Sequence, residues 1–367
     1  MSGAAGAPRA RIVGTGLIGT SIALALRAAG WPVSLEDPSP TAAALARDLG
    51  AGTIDELAPD VLAPDVVVVA APPDVTGAVV ATQLARWPSA VVTDVASVKS
   101  SVLATVRSLG GDLRRYVGSH PMAGRERSGA VAARPDLCAG RPWVVVPSPE
   151  SSAEAVALVV SLARAARGEV VTLGPQEHDA AVAAVSHLPQ LMATLTAARL
   201  RHEPDDAVAL CGQGVRDVTR IAASDPGLWT QILAGNAAGV AALLRAVRTD
   251  LDDAVGALEA LAAGGDAPGA RAVLARLLDD GNHGRARVPG KHGGAPTPYT
   301  VVTVVVPDEP GALGRLFAAM GEAGINLEDL HLEHAVGHPV ALAEVSVLPG
   351  VADRLRTHLG AGGWTIH

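Results

Sequence analysis

The sequence predicts three successive units: a doubly wound α/β unit, an all-helical unit and a small α+β unit. Three observations carry this. From Ala10 to about Gly174, apolar strands alternate with Ala- and Leu-rich helices. From about Pro175 to Ala263 the strand signal stops, and long Ala/Leu/Val segments keep helical spacing. After a stretch rich in Gly, Pro, His and Arg (Gly281 to Pro298), the order β-α-β-β-α-β follows the ferredoxin-like plan. The boundaries fall at 1–175, 176–280, a linker at 281–298, and 299–367.

The first unit opens with a strand, Ala10 to Val13, which runs into Gly14-x-Gly16-x-x-Gly19 and a helix over Ser21 to Ala29. Gly14 permits the tight turn out of the strand. Gly16 lets a pyrophosphate approach the backbone, and Gly19 lets the helix pack near the sheet. With Leu17 and Ile18, these residues form a candidate dinucleotide cradle at a helix N-terminus. A second strand, Val33 to Glu36, ends at Asp37, about 18 residues past Gly19. A carboxylate there accepts bonds from a ribose 2′-hydroxyl and repels a 2′-phosphate, which favours NAD over NADP. Glu36 can share this role, and Asp37 also reads as a turn residue before Pro38.

A helix over Thr41 to Leu49 leads on to Asp65–Ala71, a β-branched run that reads as a strand buried on both faces. Ala71-Pro72 ends it at the expected cofactor edge. Ala90–Val95 is the next strand, and Ala96-Ser97-Val98-Lys99 leads into a helix to about Leu109. Tyr116–His120 is a strand-to-loop passage. Trp143–Val146 and Glu169–Leu173 are strands around a helix at Ala153 to Ala166. The pattern gives a parallel sheet with ligands at the carboxyl ends of its strands. The helical unit reads as Glu177–Leu200, Ala207–Leu210, Leu228–Leu244 and Leu251–Leu261. The last unit reads as strands at Tyr299–Val306, Leu330–His334, Val340–Leu348 and Trp364–Ile366, with helices at Gly314–Ala323 and Val351–Leu359.

Composition narrows the function classes. The chain has 367 residues, a net charge of −8 and 18% charged residues, against a usual content of about 25%. That balance argues against a nucleic-acid or anionic-membrane surface. Cys138 and Cys211 lack metal-ligand spacing, so no metal site is expected and a reducing cytoplasm fits. No signal-peptide core precedes Ala10, and no apolar run of membrane-helix length is expected.

Several residues suit chemistry. His120, in His120-Pro121-Met122-Ala123-Gly124, follows a strand end, where a neutral imidazole can take a hydroxyl proton as hydride leaves the same carbon. It also reads as a capping or core histidine. Ser97 can hold that hydroxyl or N-cap the following helix. Lys99 is one of two lysines in the chain, and no role follows from that alone. His187 lies in an apolar helix beside the helix-bending Pro189, which frees backbone groups there. The polar stretch Gly212–Arg220 contributes Gln213 and Arg220. Arg220 can clamp a carboxylate or pair with Asp217 or Asp225.

Taken together, these stretches resemble the prephenate dehydrogenase family of tyrosine biosynthesis. The resemblance rests on Gly14–Gly19, Thr93–Lys99, Gly118–Gly124, Ser186–Pro189 and Asp217–Pro226, in family order over residues 10 to about 260. Asp308–Leu313 and Gly324–Leu327 are similar to ACT domains, which bind amino-acid effectors. The resemblance implies oxidative decarboxylation with NAD. His120 is then the catalytic acceptor for the ring hydroxyl and Ser97 its helper. Arg220 anchors a substrate carboxylate, and His187, Gln190, Trp229, Glu126 and Gln213 belong to the substrate pocket. The ACT-like resemblance implies a tyrosine effector at Asp308, Gly311, Leu313 and Asn326, and an apolar helical block after a dinucleotide domain often dimerises, so a homodimer is expected. Many members have a second histidine where this chain has Gln190, so side-chain recognition (prephenate, or arogenate with its amine) stays open. A change of ring substituent (4-amino-4-deoxyprephenate) and a non-catalytic amino-acid sensor are the other readings. A β-hydroxyacid dehydrogenase would need a lysine in the helical unit, and none lies between Lys99 and Lys291.

Overall fold

The computed structural model describes residues 6–54, 63–123, 129–264, 267–289, 298–334 and 339–367. The chain divides into two compact units, Met1–Val247 and Arg248–His367.

The first unit begins with β1 (Ala10–Val13), α1 (Leu17–Ala28), β2 (Val33–Glu36), α2 (Pro40–Asp48), β3 (Thr53–Ile54), β4 (Val66–Val69), α3 (Pro73–Arg86), β5 (Val91–Asp94) and α4 (Ser100–Ser108). The strands form a parallel sheet in the order β3-β2-β1-β4-β5. Helices cover both faces. Ile12, Val66 and Val68 pack into one core with Ile22 and Leu26 of α1, while Val13, Val67 and Val69 pack into another with Val80, Leu84 and Val102. This is why β4 is an unbroken valine run: each alternate side chain meets a separate apolar layer. Ser39 caps α2, its hydroxyl accepting from Ala42 N at 3.3 Å.

β6 (Val117–Pro121) continues the sheet beside β5 through a parallel bridge, Val92 to Tyr116. β7 (Pro142–Pro147) then pairs antiparallel with β6, and β8 (Glu169–Thr172) runs parallel to β7 across α5 (Ala153–Ala165). The expected wholly parallel sheet is corrected here. No crossover helix separates β6 from β7 among the described residues, so the chain returns in the opposite direction.

The helical part of this unit holds α6 (Pro175–Val182), a π-helical turn (Ala183–His187), α7 (Leu188–Leu200), α8 (Asp205–Val208), α9 (Gln213–Thr219) and α10 (Pro226–Gly235). In the π turn, Leu188 N reaches back to Ala183 O, and Pro189 just beyond it has no N–H to donate. The widened turn keeps Pro175–Leu200 one continuous helix, long and apolar enough by length and composition to cross a membrane, against the sequence expectation. Two of its polar residues, His178 and Asp179, are bonded into the α/β part, as described below. The expected single helix Leu228–Leu244 is also corrected. It breaks at Asn236, and α10 meets α11 (Ala237–Ala262) at 93°. α11 then runs without interruption through the gap expected before Leu251.

The second unit takes the rest of α11, then α12 (Ala270–Ala286), which extends into the stretch read as linker. β9 (Thr300–Pro307), α13 (Ala312–Glu322), β10 (Asp329–His334), β11 (Val340–Val347), α14 (Pro349–Ala361) and β12 (Thr365–Ile366) follow. The sheet order β10-β11-β9-β12, antiparallel throughout, is the ferredoxin-like arrangement. Val302, Val304 and Val306 alternate into a core with Leu316, Met320, Val345 and Leu355.

Candidate active site

The glycine turn has the geometry its spacing demands. Gly14 sits at φ +98°, and a Cβ there would lie 2.4 Å from Ala70 O. A Cβ on Gly19 would lie 1.9 Å from Gly14 O. Around Gly16 a Cβ would meet nothing within 4 Å, so the space over the α1 N-terminus is open. That N-terminus has no side-chain cap and no acidic residue in its first turn. Free N–H groups, a positive dipole end and an open cradle fit a pyrophosphate. Leu17 and Ile18 pack against the core below it. Ala71 and Pro72 leave β4 beside Gly14.

The two acidic residues at the end of β2 differ. Glu36 accepts from Arg11 Nε at 2.9 Å and from Arg86 Nη1 at 3.0 Å. Asp37 turns to the glycine loop: Oδ2 accepts from Thr15 N at 2.7 Å and Thr15 Oγ1 at 2.9 Å, and Oδ1 accepts from Ser39 N at 2.8 Å. Asp37 therefore holds the cradle, and it is the carboxylate nearer to it in the hydrogen-bond network.

His120 stands on β6 at the carboxyl end of the sheet. Its Nδ1 lies 2.9 Å from His178 Nε2, and His178 Nδ1 lies 2.9 Å from Asp179 Oδ1. Asp179 Oδ1 also accepts from Lys99 N and Oδ2 from Ser100 N, both at 2.8 Å. The carboxylate thus caps α4 from another helix. Ser97 is not that cap: it lies half-buried on the bend before α4, and the helix starts at Ser100. Asn236, at the α10–α11 break, donates to Asp179 O at 2.7 Å and lies 3.3 Å from His187 Nδ1. The His187 ring meets Trp229 edge-on at 6.2 Å. Gln190, one helical turn on, donates to Ser224 Oγ at 2.6 Å.

A charged group is sealed behind this chain. Lys99 Nζ pairs with Asp94 Oδ1 and donates to Ser119 O at 2.8 Å, while Tyr116 OH donates to Asp94 Oδ2 at 2.7 Å. Burial lowers the Lys99 pKa against the pull of Asp94, and burial with the Asp94 charge raises Tyr116 well above its usual range. His120 is pushed well below 6.5, first by desolvation and then by the Lys99 charge. Burial also lowers His187. For Asp179 burial acts upward, but bonds from His178, Ser100 and Lys99 outweigh it and bring it to about 2. The site therefore holds a neutral imidazole next to a firmly ionised carboxylate.

The structure brings His120, His187, Gln190 and Trp229 onto linked elements beside the bend that carries Ser97. Arg220 is exposed on a short turn (Arg220–Ala222) that packs on α7. Asp217 accepts from Gln213 Nε2 at 2.8 Å. Glu126 lies outside the described residues. His178, Asp179 and Asn236 were not singled out from the sequence. The polar run Gln176–Asp179 at the start of an apolar helix was the signal for the first two, and for Asn236 it was the helix-stop pair Gly235-Asn236 inside a segment read as one helix. In the second unit, Asp308, Gly311 and Leu313 line a pocket of about 140 Å³ with Leu332 and Ala341. Asn326 is exposed and outside that lining.

Comparison with known proteins follows the same division. Residues 22–172 match the family model for the prephenate dehydrogenase nucleotide-binding domain, 174–266 its dimerization domain, and 300–354 the ACT domain. The probable prephenate dehydrogenase NovF of Streptomyces niveus is 37% identical, covering 96% of this chain and 98% of that protein. A crystal structure of A. aeolicus prephenate dehydrogenase, in complex with hydroxyphenyl propionate and NAD+, matches at TM-score 0.67 and 27% identity. It covers 78% of this chain and 99% of that one. Synechocystis arogenate dehydrogenase matches at TM-score 0.63 and 25% identity, over 76% and 98%.

Proposed function

Since the chain belongs to the prephenate dehydrogenase family, we propose that it performs the NAD-dependent oxidative decarboxylation of prephenate to 4-hydroxyphenylpyruvate. One observation carries the reading: a neutral imidazole, His120, at the carboxyl edge of a sheet whose first turn is shaped for a dinucleotide. When bound in that turn, NAD supplies the hydride acceptor. His120 Nε2 accepts the ring hydroxyl proton as the carbinol C–H bond breaks, with Ser97 as a second partner for that hydroxyl. The ring carboxylate leaves as CO2, its C–C electron pair enters the ring, and the oxygen regains its proton as a phenol. Burial favours this step, because the carboxylate loses its charge. Asp37 excludes a 2′-phosphate while Glu36 is occupied by two arginines.

The deciding assay is NADH formation with prephenate and with arogenate, each with NAD and NADP. Prephenate with NAD is expected to be the fastest pair, and no turnover of either substrate would end the proposal. A second reading takes arogenate, because Gln190 offers a neutral amide where a histidine would repel an ammonium. A higher kcat/KM on arogenate would select it.

We assign Arg220 to the substrate carboxylate, Trp229, Gln213 and Glu126 to the pocket, and the turn Asp308–Leu313 to a tyrosine effector. Arg220→Gln should raise KM for substrate with kcat nearly unchanged; a loss confined to NAD affinity would remove the clamp. Tyrosine should slow the wild-type enzyme, and Gly311→Val, placed in the pocket lining, should relieve this. Equal inhibition of both would move the inhibitor elsewhere. We also propose a homodimer. Leu251, Val255 and Leu258 of α11 form an exposed apolar stripe with i, i+4, i+7 spacing. Sedimentation at the mass of one chain would remove it.

A further inference from the structure

We propose that His178, held by Asp179, is the positioning residue that fixes His120 as its Nδ1–H tautomer, so that Nε2 faces the substrate hydroxyl as an acceptor. The proposal rests on the function proposed above and deepens it.

The protons can be placed one bond at a time. Asp179 is a carboxylate bonded by two backbone N–H groups, so it only accepts. His178 Nδ1, at 2.9 Å, must donate to it. With its proton on Nδ1, His178 presents a bare Nε2, which accepts from His120 Nδ1 at 2.9 Å. His120, neutral, is left with its lone pair on Nε2, the atom a hydroxyl proton needs. Were His178 cationic, both its nitrogens would donate, His120 would accept at Nδ1, and its Nε2 would carry hydrogen and be useless as an acceptor. His178 is fully buried. Among the described residues, the charged or titratable groups around the pair are Lys99 and Asp94 behind β6, Tyr116 on the bridge to β6, Asp179 on α6 and His187 on the π turn. Of these, only the Asp179 carboxylate bonds to the His178 ring.

The same carboxylate sets a second part of the site. Through Lys99 N and Ser100 N it fixes the start of α4, hence the bend with Ser97. One His-Asp dipeptide therefore orients both groups expected to meet the hydroxyl. As the proton reaches His120 Nε2, the ring becomes cationic in line with the Asp179 charge.

The first test needs no variant. In the full-length protein with 15N-labelled histidine, at neutral pH with NAD present, the His120 signals should show hydrogen on Nδ1 and none on Nε2. Assignment comes from their loss in His120→Asn. A wild-type Nε2–H tautomer overturns the proposal. In Asp179→Leu, no carboxylate accepts from His178 Nδ1. His120 should then lose its single Nδ1–H tautomer, and kcat should fall by about 10²–10⁴ while KM shifts by less than about threefold. His178→Gln, whose carbonyl can still accept from Nδ1–H, should retain more of kcat than His178→Phe. Equal kcat for these two, or wild-type kcat in Asp179→Leu, overturns it as well. If the enzyme turned over neither prephenate nor arogenate, the nitrogen spectra would still decide the tautomer, so failure of the functional reading is distinguishable from failure of this one.

Discussion

Replacing His120 by Asn lowers kcat by about 10²–10⁴, the range for a residue that moves a proton in the transition state, while NAD binding stays as in wild type. Asn preserves polarity and approximate size, and its amide can receive a hydrogen bond through oxygen, but it cannot take up a proton. The cofactor turn lies on β1 and α1, and its glycine contacts do not involve β6. Cofactor affinity, read by fluorescence titration, should therefore separate from kcat. An unchanged kcat would remove the assignment. The pH profile gives the same residue an independent reading. Burial and the Lys99 charge hold the His120 pKa well below 6.5, and the neutral form is the active one. Activity is therefore present above the folded-state pKa and lost as pH falls through it. The acid limb of kcat/KM should stay flat down to 6.5 and drop only below it. A limb that begins to fall above 6.5 would show an imidazole that is not depressed, or a different group.

Lys99→Met should cost about 3–5 kcal/mol of stability, the usual result of breaking one side of a buried ion pair. The Lys99 side chain is 1% exposed and that of Asp94 is fully buried. Methionine fills the volume, yet the carboxylate is left with Tyr116 OH and Ala96 N as its partners and no cation. Against a typical total of about 5–15 kcal/mol, this is a large share. Four of the five tryptophans (Trp31, Trp87, Trp143 and Trp229) lie in the first unit, so tryptophan fluorescence in urea reports mainly on it. An unchanged midpoint would mean the pair is dispensable to the fold. Lysine also donates to Ser119 O, next to His120, so its loss should lower kcat in whatever protein remains folded.

The sequence was most legible where a local rule leaves one solution. Gly14, Gly16 and Gly19 sit where backbone approach excludes a Cβ or leaves a phosphate-sized opening. The valines of β4 and the alternating residues of β9 announce their one or two covered faces directly. Legibility failed where structure depends on pairing between distant residues. Among the described residues no crossover helix lies between β6 and β7, and this, not its own composition, sets the direction of β7. The break at Gly235-Asn236 is held by a side chain bonded to Asp179 O, 57 positions away. His178 looked like any polar residue on an apolar helix because its partner, His120, is 58 positions earlier.

The π turn between α6 and α7 settles which way the second half of that long helix looks. At about 100° per residue, the nine steps from His178 to His187 would set the two rings roughly half a revolution apart in an unbroken α-helix. The i→i+5 closure at Leu188 absorbs about one residue of winding, which brings them to within about a quarter revolution of each other. A single surplus residue thus acts as a phase correction, and without it His187 and Gln190 would look away from the face on which His178 meets His120.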